Sequence, residues 1–508
     1  GLEHFGRSPS CLLITGKFDV DCWVQDVQTR VFATLGQPNW LAAWLTALMP
    51  LGWYFILNTN HRSPFTVHSF SILSSLFFLI LLYTQSKSGF LGFLAADLVF
   101  WLGITLSTIL RKKALGNILK KFCILHVLFC LLASIIGTPL SPSIKQFMNK
   151  PPSQLSPSTT VNKVQHSQIT PSSDIRKIVW RGALEIWKNY PIFGTGVETF
   201  AYSYYQFRPI EHNLTSEWDF LYNKAHNEYL NMAANSGTIG LLAYLLLTGV
   251  SIYQISKGGF GVYDLRFAIL AGYHSILVSN YFGFSVVPVG LQFFLYPAMA
   301  IAIGQQKTKD EGGKDKVSGE QKILLCLVLS AMLYGLFTIV KFYYADLCYS
   351  KGKRQYSQQE LAKAFQQLTK AVKYSPKEAI FRGKLAKTSN DLSLAFFQKK
   401  EATISAQFLR KTIQESNQAT SLSPRNVALQ LSRAKIFLKL GTIDPQYTLE
   451  AIRVLEKTGG LAPTYAKVFY HLGLAYSEIG ESPKPIANLE NAINMNPTYR
   501  NARFTLGI

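Results

Sequence analysis

Eight apolar runs of about twenty residues constrain this chain more than any other feature, because that length of helix crosses roughly 30 Å of hydrocarbon. They cover 40–57, 67–83, 89–110, 122–138, 238–255, 267–282, 286–303 and 323–344. One such run is compatible with a buried helix of a soluble protein. Eight in series predict membrane spans, and a helix is the form of chain that satisfies its own backbone in lipid. The fold class expected is therefore all-α, a polytopic helical membrane protein. Gly1 stands where a start Met would, and a helical pattern runs up to Ile508. Both are expected of a fragment lacking material at each end, including N-terminal spans.

The formal charge of +22 matters through its placement. Arg111, Lys112, Lys113, Lys120 and Lys121 crowd one connection. Lys307, Lys309, Lys314, Lys316 and Lys322 crowd another, and Lys257 and Arg266 flank a third. Alternate crossings put all three on one side, which the positive-inside bias makes cytoplasmic. The chain then divides into an extracytoplasmic loop at 1–39, spans over 40–138, a large extracytoplasmic loop at 139–237, spans over 238–345 with a cytoplasmic linker at 305–322, and an extracytoplasmic tail at 346–508. The localisation expected is the cytoplasmic (inner) membrane, multi-pass, in contact with membrane lipids.

The tail is polar and helical. Ala364 and Ala371 before Pro376, Ala419 before Pro424, and Ala492 before Pro497 mark the ends of helix pairs. Phe469, Leu472, Gly473, Tyr476, Gly480 and Leu489 precede Pro497, and Pro463 to Pro497 spans about 34 residues, the tetratricopeptide period. Such repeats stack into an α-solenoid that binds rather than reacts, so a protein partner on this region is expected. Its basic balance suits an anionic partner. An outer location disfavours nucleic acid and favours acidic glycan or lipid headgroups.

A polar insert between two spans needs a purpose beyond joining them. Arg176-x-x-x-Trp180 opens an amphipathic helix that stops near Pro191, and His226-Asn227-x-x-Leu230 precedes Gly237 and the next span. Lys87 sits at the outer mouth of the third span, on the same side as Arg176, Lys177, Arg181, Arg208, Lys224 and His226. Cations at a membrane mouth suit a diphosphate on a lipid carrier. Arg grips phosphate oxygens with a planar fork, and His accepts a proton near neutral pH. Each residue also has a structural reading: Lys87 as an interface lysine, Arg176 as a partner of Asp174, His226 as a loop histidine. Tyr202, Tyr204, Tyr205, Phe207 and Trp218 suit sugar faces or packing of the loop on the membrane surface. Asp97 lies mid-span, where a carboxylate calls for a function or a partner. Cys11 and Cys22 are close enough in sequence to pair, though nothing requires it. The cysteines show no metal pattern, and no phosphate-binding Gly loop or hydrolase constellation is visible.

Taken in order, Gly36-Gln37-Pro38-Asn39, Ser86-Lys87-Ser88-Gly89, Arg176-x-x-x-Trp180 with Pro191-x-x-Gly194-x-Gly196 and Phe200, and His226-Asn227-x-x-Leu230-x6-Gly237 resemble the O-antigen ligase/polymerase family. The resemblance runs from about residue 30 to 303. It implies a GT-C-like membrane glycosyltransferase that moves a glycan from a polyprenyl-diphosphate carrier to a lipid, glycan or protein acceptor, with no metal, cofactor or nucleotide sugar; the alternative from another class is a non-catalytic membrane scaffold or transporter. The resemblance also implies catalytic roles for His226, Arg176 and Lys87; substrate-binding roles for Arg181, Arg208 and Lys224 are expected from the gathering of cations, and for Asn227 from its place beside His226. The family usually has Arg at the position of Lys87. The tetratricopeptide-like tail also resembles members of that family.

Overall fold

The computed structural model describes residues 2–9, 11–12, 16–23, 26–58, 64–141, 170–257, 264–309, 318–480 and 483–507. The expected stretches 142–169 of the large loop and 310–317 of the linker lie outside these residues. Among those described the fold is helical, with no strand. In chain order the helices are α1 (Pro38–Leu57), α2 (Pro64–Thr84), α3 (Lys87–Leu110), α4 (Gly116–Ile136), α5 (Ser172–Asn189), α6 (Phe200–Phe207), α7 (Glu228–Ser256), α8 (Leu265–Tyr281) and α9 (Val287–Lys309). They continue as α10 (Gly319–Ser357), α11 (Leu361–Tyr374), α12 (Ala379–Gln398), α13 (Ala402–Leu422), α14 (Val427–Gly441), α15 (Gln446–Leu461), α16 (Ala466–Glu478), α17 (Lys484–Met495) and α18 (Arg500–Leu506).

A helix lies at each of the eight expected spans. Six of them, α1, α3, α4, α7, α9 and α10, are long and apolar enough to cross a membrane. The described apolar part of α2, His68–Thr84, and the 17-residue α8 are shorter. α4 begins six residues before the expected run, at Gly116, because a helix persists into its polar flank. α7 begins at Glu228 for the same reason, and its polar first turns are separated from the apolar part by non-helical backbone at Gly237.

The chain forms two compact units. The first is Gly1–His166 with Ala183–Glu198 and Lys224–Gly313; the second is Ser167–Gly182 with Thr199–Asn223 and Lys314–Ile508. In the first, small residues let backbones approach, the usual solution where lipid offers no hydrophobic drive between helices. A Cβ on Gly89 of α3 would lie 2.3 Å from the Ala42 Cβ of α1, and one on Gly272 of α8 would lie 2.4 Å from the Ala47 carbonyl oxygen. Trp53 fills the space beside them against Phe93, Phe100 and Trp101. Asp97, unpartnered in the sequence, accepts a hydrogen bond from His126 Nε2 on α4 at 3.0 Å. Lys121 Nζ donates to the carbonyls of Ile56 and Leu57 at 3.0 and 3.2 Å, closing the C-terminal end of α1. Cys11 and Cys22 are joined by a disulfide.

In the second unit, α10 has 39 residues, about 58 Å of helix. Ile323, Leu327, Met332 and Phe337 on its apolar part are each more than 60 % exposed. Apolar exposure on that scale is stable in lipid and not in water. The helix does not stop at 345 but runs on through Ser357. Ala345, Cys348 and Gly352 there pack on Leu368 and Ala371 of α11. Helix pairs α12/α13, α14/α15 and α16/α17 follow, each packed on the next. Ala364 and Ala371 on α11, Ala419 on α13 and Ala492 on α17 are buried, and each of these helices ends before the expected proline.

Candidate functional site

The first unit draws three of the sequence motifs together. Ser86 caps α3, its Oγ accepting from the Gly89 N–H at 3.1 Å and donating to Asn39 Oδ1 at 2.7 Å. Asn39 is the last residue of the Gly-Gln-Pro-Asn run at the start of α1. Its neighbour Trp40 packs edge-on against Phe284, with centroids 6.0 Å apart, and Phe284 packs edge-on against His226 at 5.3 Å. One continuous set of contacts thus joins the helix start that carries Lys87 to the loop that carries His226. Lys87 is the exposed first residue of α3. His226 is half-buried and holds a left-handed backbone, φ +55°, a conformation of a kind that clusters at functional sites.

The glycines of the Pro191-x-x-Gly194-x-Gly196 motif and Gly237 make one backbone clamp. Thr195 and Gly196 N–H donate to Ala234 and Asn235 carbonyls at 3.1 and 2.8 Å, and Thr238 and Ile239 N–H donate to Pro191 and Ile192 carbonyls at 2.7 and 3.3 Å. The chains are so close that a Cβ on Gly237 would meet the Ile192 carbonyl oxygen at 2.2 Å, and one on Gly194 would meet the Asn235 carbonyl carbon at 2.4 Å. Trp187 Nε1 adds a bond to Thr238 Oγ1 at 3.0 Å. The clamp holds the end of α7's polar first turns, the segment that begins beside His226. Asn227, 3 % exposed, spends its Oδ1 on capping α7 by accepting from Leu230 N–H at 3.1 Å. Its side chain sets the helix start on which the imidazole rides.

Arg176 belongs to the second unit. Asp174, the structural partner open to it in the sequence, pairs instead with Lys177 at 3.1 Å. Arg176 is half-buried; burial lowers its pKa, and the charges of Tyr222 and Glu217 raise it. A guanidinium stays protonated through such shifts. Tyr222 donates to Glu217, and burial first, then Glu217, pushes the phenol well above its ordinary range.

The other expected cations have protein partners. Arg181 pairs with Glu211 at 3.0 Å. Lys224 pairs with Glu198, a residue at φ +59°. Arg208, expected to face substrate, is 3 % exposed, donates to Asn213 Oδ1 at 2.7 Å and lies 5.0 Å above the Tyr465 ring. Part of the aromatic run packs within the protein instead: Tyr205 and Trp218 lie against Tyr465, and Trp218 also meets Tyr499. The Tyr204 hydroxyl and His212 Nδ1 share a hydrogen bond of 2.6 Å, and burial, then Arg208, holds that imidazole down at about 3. Asp219 accepts from Tyr465 and Lys467, and Asn213 donates to the Thr464 carbonyl at 2.7 Å. The loop Thr199–Asn223 is therefore built onto α15 and α16.

Two site residues escaped the sequence reading. Arg30 donates to the Thr84 carbonyl at 3.0 Å and to Asn39 Oδ1 at 3.3 Å, a guanidinium beside the start of α3. Its signal was an Arg on the same outer segment, nine residues ahead of Asn39. Phe284 carried no signal beyond its place in a turn between spans. A cleft of about 940 Å³, lined by His4, Tyr83, Gln85 and Thr138 among others, opens at the ends of α2 and α4. Among the described residues, no group of three or more His, Cys, Asp or Glu side chains is placed to hold a metal ion.

No curated protein matches the chain. Compared with models of known families, residues 72–245, the stretch that holds Lys87, Arg176 and His226, match O-antigen ligase, and the similarity supports that family and points to a glycan-transferring membrane enzyme.

Proposed function

We propose that the protein transfers a glycan from a polyprenyl-diphosphate carrier to an acceptor hydroxyl at the outer face of the cytoplasmic membrane, as an O-antigen ligase or polysaccharide polymerase does. The observation that carries this reading is the chain of contacts from Ser86 through Asn39, Trp40 and Phe284 to His226, built within the matched stretch and its two flanks. Arg176 and Lys87 bind the diphosphate. The bond from sugar C1 to the diphosphate oxygen breaks, and the acceptor oxygen bonds to C1. The hydroxyl proton passes to His226, and polyprenyl diphosphate leaves with its charge balanced by the fixed cations, the electrostatic term that is usually largest. The fixed cations fill the role a metal would take. The Cys11–Cys22 disulfide favours the oxidising, outer side for residues 1–39. The C-terminal pairs act as a tetratricopeptide-like solenoid on that same side.

The test is glycan transfer from a purified polyprenyl-diphosphate donor in detergent, with chelator present. His226→Ala lowers transfer about a hundred- to ten-thousand-fold, the worth of a positioned base, and leaves carrier binding intact. Arg176→Lys lowers transfer, and Arg176→Ala lowers it further and weakens carrier binding. Lys87→Arg is tolerated or improves transfer, because a fork replaces a point charge. Near-normal transfer by both Arg176→Ala and His226→Ala refutes the mechanism. Loss with chelator, restored by a divalent ion, makes the enzyme metal-dependent and turns attention to Asp97, Glu211, Glu217 and Asp219.

A further inference from the structure

The first helices of the C-terminal pairs carry basic residues at helical spacing: Lys384 and Lys387 on α12, Lys435 and Lys439 on α14, Lys467 and the neutral His471 on α16. Intervals of three and four residues put each couple on one face of its helix. The three faces act on one another. Lys387 repels both Lys384 and Lys435, and Lys435 with Lys467 repels a proton on His471.

The carboxylates that act on this stripe are Asp391 and Asp219. Both are already engaged: Asp391 with Lys439 at 2.8 Å and the Tyr356 hydroxyl at 2.6 Å, Asp219 with Lys467 and Tyr465. Among the described residues Lys384, Lys387 and Lys435, all half-buried, have no carboxylate in ion-pair contact. The Lys384 ammonium lies 3.4 Å from the centre of the Tyr356 ring. Both ring nitrogens of His471 are buried without a hydrogen-bond partner. The cost of this arrangement is visible in protonation. Burial, then Lys387 and Lys353, lowers Lys384 to about 8, and burial, then Lys435 and Lys467, lowers His471 to about 3. Partly desolvated cations that repel one another are stabilised by an anion laid along them.

We propose that this face of α12, α14 and α16 binds an acidic glycan, a chain whose sugars carry carboxylate or phosphate groups. A polymer with charges at intervals matches a stripe with cations on successive helices. The choice of glycan over acidic peptide rests on the transferase reading above. It is supported within this unit by Asp219, which ends the stripe and belongs to the same loop as Glu217 and Tyr222, the groups that act on Arg176. The face would hold the acidic chain next to the loop that works on it.

The test measures binding by the whole chain in detergent, using a fluorescent polygalacturonate oligomer, with neutral dextran as control. The variants are the doubles Lys384→Gln/Lys435→Gln and Lys384→Arg/Lys435→Arg, each checked for unchanged elution and melting. Losing one charge-assisted hydrogen bond weakens binding about tenfold or more, so the Gln double is expected to bind about a hundredfold more weakly. The Arg double is expected to bind as the parent does, and dextran not at all. Unchanged binding by the Gln double overturns the proposal. So does equal affinity for poly-L-glutamate, which makes this a peptide site, or stronger capture by phosphatidylglycerol vesicles with the same variant dependence, which makes it a lipid site. Transfer measured in parallel separates the two readings. Normal transfer without glycan binding sinks this inference alone, and lysine-dependent glycan binding without transfer sinks the catalytic reading alone.

Discussion

Replacing Gly237 with alanine tests the clamp on α7, the helix that begins beside His226. The residue sits at φ 64°, ψ −165°, a region that only glycine enters readily, and a side chain there costs about 1–3 kcal/mol. The added Cβ would stand 2.2 Å from the Ile192 oxygen and 2.6 Å from the Gly194 nitrogen. These are backbone atoms with no rotamer to give. Relief requires the two chains to separate, which loosens the hydrogen bonds of Thr195, Gly196, Thr238 and Ile239, each worth about 1 kcal/mol net. With all four bonds lost the sum is a loss of about 5–7 kcal/mol. Gly249, on the same helix with nothing within 4 Å of a Cβ, is the control: alanine there is neutral or gains about 0.5–1 kcal/mol. The assay is thermal unfolding in detergent, with hydrogen exchange over 191–196 and glycan transfer on the same samples. Gly237→Ala is expected to melt far below Gly249→Ala, to exchange faster at 194–196 and to transfer poorly. Equal melting and exchange for the two variants would refute the clamp.

Other outcomes follow from single contacts. His126→Ala strands Asp97 inside a span, and a double-mutant cycle with Asp97→Asn should return a coupling of about 1–3 kcal/mol; additive losses would deny the pair. Asp219→Ala frees Tyr465 and Lys467, so limited proteolysis within 210–223 should speed up several-fold, and an unchanged rate would mean the loop is held without it. His212 and His471 both have pKa values lowered to about 3 from an ordinary 6.5. The unfolded chain therefore binds more protons between those values, and stability falls as pH drops through that window. His212→Asn should flatten that acid dependence in a pH series of melting temperatures.

Much of this architecture was legible because it is periodic or bracketed locally. Runs of apolar residues named the places of eight helices, six of them long and apolar enough to cross a membrane, and the alanine–proline pattern named α11, α13 and α17 in the tail. Ser86 and Asn227 follow from capping rules that act within three residues. Gly194 and Gly237 were legible as paired motifs, though not as one contact. Pattern failed where length alone misled: polar flanks extended α4 and α7 beyond their apolar runs, and α10 continued through the expected boundary at 345 because nothing in that stretch breaks a helix.

What the tertiary structure alone decided is partnership. Arg208 and Arg176 have the same side chain in the same insert, yet one is buried against Asn213 and Tyr465 and the other is half-buried beside Tyr222 and Glu217. Asp97 found His126, Asp219 found Lys467, and Phe284 joined Trp40 to His226. Helical period and hydropathy record which face of a segment is apolar, and they are set by neighbours a few residues away. The partner of a charged or aromatic group is set by which surfaces meet when distant segments pack, and a single sequence carries no local mark of that.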